Sequence, residues 1–417
     1  MTDSETLEMK FRISSTFTPS TPIDKRSLFA GRTPQITKLV NAIAQRGQHA
    51  VLFGERGVGK TSLANVVKEF LTQLGEFVIV HTNCDTAANF RSIWTNIFSQ
   101  ISVEGLEVGM GFKPPTHNIP SAGENLISES PSPEEIRLAI QSIGKKAILI
   151  IDEVDRIKNP AVSAQIADTI KTLSDHAVDA TLVLVGVADD VDTLIHEHRS
   201  IDRALIQIHM PRMSSAELSD IVAKGLNQLG MTINDIALRR ISNLSHGLPH
   251  YTHSLALHAS QSAIDRDMKQ VNEVDVSSAI KIAISQAERS VMSDYNAATT
   301  SPRGNLYAEV LLACALAETD ELGYFRAANV RQPMTQIMGR PYDIPAFSQH
   351  LNDFCERKRG PILQKTGWRK RYRFRFITPL MEPYVLMRGL SSGKIQPELL
   401  DSKLDQPIYS TDSGRLL

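Results

Sequence analysis

The residues most able to do chemistry lie together at Gly54-Glu55-Arg56-Gly57-Val58-Gly59-Lys60-Thr61-Ser62, which contains the pattern G-x-x-x-x-G-K-[ST] in full. Glycines at these intervals let the backbone wrap so that its N–H groups face inward on phosphate oxygens, and a helix starting at Lys60 would add its positive dipole end. In such a cradle the Lys60 ammonium meets the β- and γ-phosphates and the Thr61 hydroxyl holds a magnesium ion. Further along, the apolar run Ala147-Ile148-Leu149-Ile150-Ile151 ends in Asp152-Glu153. A strand buried on both faces reads this way, and an acid at its end suits an Mg²⁺-orienting Asp152. Glu153 beside it is placed to polarise an attacking water. The expected ligands are therefore ATP and Mg²⁺, with residues 54–62 binding phosphate.

These groups need elements to carry them. Ala50-Val51-Leu52-Phe53 before the glycine loop reads as a strand, and Leu63 onward as a helix. Further apolar runs at 77–80, 181–187 and 206–210 alternate with helical patterns, one of them at 155–174, which predicts a parallel sheet covered by helices. The strand at 181–187 ends at Ala188-Asp189-Asp190, on the edge where open α/β sheets place ligands. Residues 102–131 are rich in Gly, Pro and Ser and read as a long loop, after which Ser132-Pro133-Glu134-Glu135 opens a helix.

The 417 residues allow two or three domains. With 42% hydrophobic and 22% charged residues the composition is that of a globular protein, and no apolar run reaches the length of a membrane span. The first residues lack the basic and apolar regions of a secretion signal, and three scattered cysteines, Cys84, Cys314 and Cys355, suit a reducing compartment; a cytoplasmic location and no membrane partner are expected. The net charge of −1 excludes no partner.

The chain divides as a flexible polar lead-in at 1–24, the sheet domain at 25–211, a helical unit at 212–290, a compact unit at 300–390 and a polar tail at 391–417, with a turn-rich linker at 287–304. The 300–390 unit reads as helices followed by a β-hairpin, the order of a winged helix. Between Arg357 and Arg375 stand nine basic residues and no acid: Arg357, Lys358, Arg359, Lys365, Arg369, Lys370, Arg371, Arg373 and Arg375. Tyr372, Phe374 and Phe376 alternate with arginines at strand spacing, so one face packs rings and the other presents guanidinium groups. With Trp368 near the tip, the hairpin is expected to contact DNA phosphates while the preceding helix enters a groove. His246, His250, His253 and His258 cluster in the helical unit without carboxylate support, which points to packing rather than a metal.

The glycine loop, the Asp152-Glu153 strand end and the order sheet domain, helical lid, winged helix resemble the AAA+ P-loop ATPases of the origin-recognition and replication-initiator group. The resemblance spans roughly residues 25–390 and extends to Gly31-Arg32 and Asn83-Cys84. It implies an α/β fold class, with a parallel-sheet AAA+ core, an all-α lid and a C-terminal winged helix. It implies an ATPase, slow and stimulated by a partner, acting as an ATP-bridged oligomer. Asp189 falls where the family has a polar sensor residue, often Asn, and Arg203, with Arg199 as the alternative, falls where an arginine acts on the neighbouring subunit's γ-phosphate. His250 stands where the family's second sensor is arginine. The reading is an ATP-driven switch on DNA; a signalling, defence or transposition-type ATPase whose C-terminal unit docks a protein partner is the rival.

Overall fold

The computed structural model describes residues 2–22, 29–101, 127–188, 191, 194, 201–301, 305–320, 322–368 and 371–401. Five parallel strands form the central sheet: β1 (His49–Gly54), β2 (Phe77–Asn83), β3 (Lys146–Asp152), β4 (Ala180–Val187) and β5 (Leu205–His209), in the spatial order β2-β3-β4-β1-β5. Both faces of the sheet are covered, as its continuous apolar strands require. Ala50, Leu52, Ile148, Ile150, Val183 and Val185 point to one core, while Val51, Leu149, Ile151, Leu182 and Leu184 point to the other. The second core is closed by α4 (Phe90–Ser99), α5 (Pro133–Ser142) and α6 (Pro160–Asp175), with Trp94, Ile97 and Phe98 fully buried. On the first face lie α2 (Thr33–Ala44) and α3 (Lys60–Leu74). The α/β expectation is met.

The helix expected at 155–174 starts later. Val154–Arg156 form one tight turn, and Asn159 caps α6 by accepting from the Ala161 N–H, with Pro160 at the first helical position. The following unit is helical, with α7 (Ser215–Gln228), α8 (Asp235–Ser245), α9 (Pro249–Asp265) and α10 (Glu273–Gln286). Two short strands, β6 (Thr232–Ile233) and β7 (Gln270–Val271), pair within it, an addition to the all-helical expectation.

In place of the flexible lead-in expected at 1–24, residues Asp3–Thr16 form helix α1, which packs on α9. Its Thr2–Glu5 capping box starts the helix, and Ile13 and Phe17 bury completely. Phe17 packs against Gly225, where a Cβ would sit 2.4 Å from the ring. The linker expected at 287–304 is largely α11 (Arg289–Thr299), anchored by buried Val291 and Ala298; 302–304 lie outside the described residues. The C-terminal unit then holds α12 (Tyr307–Ala315), α13 (Ala327–Met338), α14 (Ile344–Asp353) and an antiparallel hairpin, β8 (Leu363–Thr366) with β9 (Arg373–Phe376). Phe325 bridges Phe374 and ties the 320–325 loop to the hairpin. Two more helices follow, α15 (Met381–Ser391) and α16 (Pro397–Asp401); α16 replaces the start of the expected tail and packs on α8. The lead-in at 23–28, the 102–126 loop and the tail from 402 lie outside the described residues. One apolar core runs unbroken from the sheet through the lid into this C-terminal unit, so no hinge of exposed linker separates them among the described residues.

Candidate active site

The phosphate loop leaves β1 through Gly54, whose φ of 146° and closeness to Met210 allow no side chain: a Cβ would lie 2.4 Å from the Met210 carbonyl oxygen. Gly59, at φ 94°, caps α3 in the left-handed region, so Lys60 and Thr61 open the helix. The Lys60 Nζ donates to the Gly54 and Glu55 carbonyls at 3.0 and 2.8 Å. Burial pushes this lysine down to about 8, against the pull of Asp155, Asp152 and Glu55.

Asp152 ends β3 beside β1's loop and is buried. One of its oxygens accepts from the Glu153 N–H at 2.7 Å, and the other lies 3.4 Å from His81 Nε2. Glu153 sits at φ 57°, a left-handed conformation rare for this residue, which turns its carboxylate out of the strand line. That carboxylate accepts from Arg156 at 2.9 Å. Thr61, Asn65, His81, Thr82 and Asn83 line a cleft of about 600 Å³ beside the loop. Lysine, threonine hydroxyl and buried carboxylate thus converge on one strand edge. This donor set fits a magnesium–triphosphate: glycines that expose N–H groups, a lysine held only by loop carbonyls, and a hard oxygen ligand pair in Thr61 and Asp152.

Two further residues hold this arrangement, and the sequence pattern alone does not single them out for that role. Asp155 accepts from the Val187 N–H at 2.8 Å and so locks the ends of β3 and β4 together. Arg32, at φ 61° and 3% exposed, donates to the carbonyls of Val58 (3.0 Å) and Pro211 (2.6 Å), pinning the phosphate loop and the stretch after β5 to the start of α2. The Gly31-Arg32-Thr33-Pro34 string is its only signal in the sequence.

The lid and the C-terminal unit press on the loop. A Cβ at Gly57 would touch Leu248 and Leu380, and one at Gly59 would touch Pro249. His250, expected at the second-sensor position, bonds the Pro19 carbonyl through Nδ1 at 2.8 Å. His253 is buried beside Phe17, and burial followed by its neighbour His250 pushes it down to about 4. His258 bonds Gln286. Among the described residues no group of metal ligands forms.

Arg203 is exposed just before β5, at the amino end of that strand, whereas the phosphate loop leaves the carboxyl end of its neighbour β1. The two are on opposite edges of one sheet, so this arginine cannot serve the site of its own chain. Asp189 and Arg199 lie outside the described residues, as do Arg369 and Lys370 in the hairpin.

Several of the basic residues expected on DNA are engaged within the fold. Arg359 stacks 3.6 Å over the Tyr307 ring and donates to the Ala298 and Thr300 carbonyls. Arg373 pairs with Asp320 at 3.1 Å, Arg375 reaches Gln364, and Lys365 bonds Asn352 while covering Tyr372. Arg357, Lys358 and Arg371 are exposed, and so is Trp368, at 68%.

Residues 43–195 match the family model described as an AAA domain. No curated protein sequence matches the chain. Among solved structures it is similar to Cdc6p from Pyrobaculum aerophilum, at 16% identity and TM-score 0.46, covering 94% of this chain and 98% of that one. It is similar also to the Orc1 protein of Aeropyrum pernix in complex with DNA, at 15% identity and TM-score 0.49, covering 90% and 96%. The Thermotoga maritima RuvB Holliday junction branch migration motor follows at 14% identity and TM-score 0.46, covering 85% and 95%. Among the described residues no helix is long and apolar enough to cross a membrane.

Proposed function

We propose that the chain is an ATP-binding and ATP-hydrolysing switch of the origin-recognition AAA+ type, which assembles through its ATP sites and binds DNA with its C-terminal unit. The observation that carries the reading is the convergence of Lys60, Thr61 and buried Asp152 at the carboxyl edge of β1 and β3. Residues 54–62 wrap the triphosphate with backbone N–H groups, and Lys60 leaves its loop carbonyls for the β- and γ-phosphates. Thr61 and Asp152 would hold Mg²⁺, which supplies charge neutralisation at the phosphates when bound. Glu153 releases Arg156 and accepts the proton of the attacking water as the bond to ADP breaks. Arg203 acts on the neighbouring chain's site, in keeping with its place on the far edge. His250 in place of an arginine, already tied to Pro19, removes one charge from the lid side and supports slow turnover.

DNA contact rests on the exposed Arg357, Lys358, Arg371 and Trp368, with Arg369 and Lys370 in the same hairpin. A protein partner is the second reading, favoured by the internal bonds of Arg359, Arg373, Arg375 and Lys365, which lower the charge free for phosphates.

The test is nucleotide binding and turnover by the full chain. Lys60→Ala should lose tight ATP binding, and Glu153→Gln should bind ATP yet hydrolyse it at least about a hundredfold more slowly, the scale of general-base loss. Parent-like turnover by Glu153→Gln would remove Glu153 as the base.

A further inference from the structure

Two side chains of the phosphate loop point away from the phosphate cradle, toward the C-terminal half of the chain. Arg56 reaches Glu288, which precedes α11, at 3.4 Å. Glu55 is bound by Arg212, which follows β5: Nε donates to one carboxylate oxygen at 2.6 Å and a terminal nitrogen lies 3.4 Å from the other. The same guanidinium bonds Glu382 on α15, and His246 at the end of α8 completes the group, with Nδ1 2.6 Å from Arg212 and 3.1 Å from Glu382. Arg212 and Glu382 are almost wholly enclosed, at 7% and 2% side-chain exposure. Four segments, the phosphate loop, the stretch that follows β5, the lid and the C-terminal unit, therefore share one buried set of charges.

The surroundings tighten the same joint. The Tyr251 hydroxyl of the lid donates to the Leu380 carbonyl at 2.8 Å, and Leu380 reaches toward Gly57. Gly323 lies against Glu55 and Arg212, in the loop that Phe325 bridges to β9, the strand of Arg373 and Arg375. The loop bridged to the basic hairpin thus rests on the phosphate loop.

We propose that Glu55, Arg212, Glu382 and His246 form a latch that clamps the C-terminal unit onto the phosphate loop, and that ATP binding and the closed latch oppose one another. The inference rests on the reading of residues 54–62 as an ATP site. Two carboxylates already share one guanidinium, and a triphosphate brings further negative charge to the loop that carries Glu55. Lys60 must also leave the Glu55 carbonyl to meet phosphate, which moves the residue that anchors the latch. Coupling of this kind is reciprocal, so loosening the latch changes nucleotide affinity by the same factor that nucleotide changes the latch.

Glu382→Gln keeps the side-chain volume and removes the charge. In the full chain without nucleotide it should enlarge the radius of gyration by X-ray scattering. It should also tighten binding of a fluorescent non-hydrolysable ATP by about tenfold, within the usual coupling range of 5–150-fold. A parent-like radius or a parent-like nucleotide affinity overturns the latch. Should that variant fail to fold, the unmodified chain decides by hydrogen exchange. A non-hydrolysable ATP should protect 54–62 and raise exchange across 381–391; protection at 54–62 with unchanged exchange at 381–391 overturns the latch. Absence of protection at 54–62 in the parent refutes the ATP site instead, and the nucleotide-free scattering comparison still decides the latch.

Discussion

The protonation of Lys60 sets how nucleotide affinity should vary with pH. The ammonium is 7% exposed and is held by two neutral carbonyls, so burial lowers it from an ordinary lysine to about 8. Phosphate oxygens in place of those carbonyls put full negative charge beside it and restore the charged form. Nucleotide binding must then be accompanied by proton uptake in the fraction of molecules whose lysine is neutral. That fraction is about one half at pH 8 and about nine-tenths at pH 9. Affinity should fall by about tenfold between pH 7 and pH 9, about twofold of it below pH 8 and about fivefold above. Calorimetry in buffers of different ionisation enthalpy reads the proton count directly, as the slope of apparent heat against buffer heat. Lys60→Arg keeps its charge across this range and should show no such slope. A parent protein with buffer-independent heats at pH 8.5 and equal affinity at pH 7 and 9 would refute the lowering of this lysine by burial.

Other outcomes follow from the same geometry. Mixing Arg203→Ala with Lys60→Ala chains should restore part of the hydrolysis that each lacks alone, because one supplies the arginine and the other an intact loop; no recovery at any ratio in assembled protein counts against Arg203. Burial raises the Glu382 carboxyl, but Arg212 and His246 outweigh it and hold it down at about 2. Its contribution to stability is therefore complete above the ordinary glutamate range near 4.5 and is lost as pH falls toward 2. The Tm gap between parent and Glu382→Gln should be wide at pH 7 and shrink near pH 2–3; a constant gap would deny the charge a role. Trp368→Ala should weaken DNA binding if the ring enters a groove, and fluorescence of Trp368 on DNA addition checks this independently.

The phosphate loop and the Asp152-Glu153 strand end were legible because each is a local pattern: glycine spacing that only a tight loop needs, and apolar runs that only a doubly covered strand needs. The segment α1 was hidden because only Ile13 and Phe17 bury fully, and their pocket is made by Gly225 and His253 far along the chain. α11 carries only Val291 and Ala298 as buried apolar anchors, too sparse to set it apart from a linker. Arg212 reads in sequence as one more charge after a strand. Its meaning comes from Glu55 and Glu382, which stand 157 and 170 residues away and are brought to it only by packing. The basic hairpin shows the reverse: the sequence displays charge but not that Arg359, Arg373 and Lys365 would be spent on Tyr307, Asp320 and Asn352.

The most direct measurement is duplex-DNA binding by the full chain, followed by fluorescence anisotropy across a salt series with and without a non-hydrolysable ATP. The account predicts that log affinity falls linearly with log salt and that nucleotide shifts the affinity. Replacing exposed Arg357, Lys358 and Arg371 with Ala should flatten the slope by up to about 2.7, at about 0.9 for each phosphate no longer neutralised. The residues that turn over ATP lie in another unit, so basal ATPase activity should persist in that variant. A salt slope and affinity equal to the parent's in the triple variant, or no response of DNA affinity to nucleotide, would contradict an ATP-driven switch that holds DNA through this hairpin.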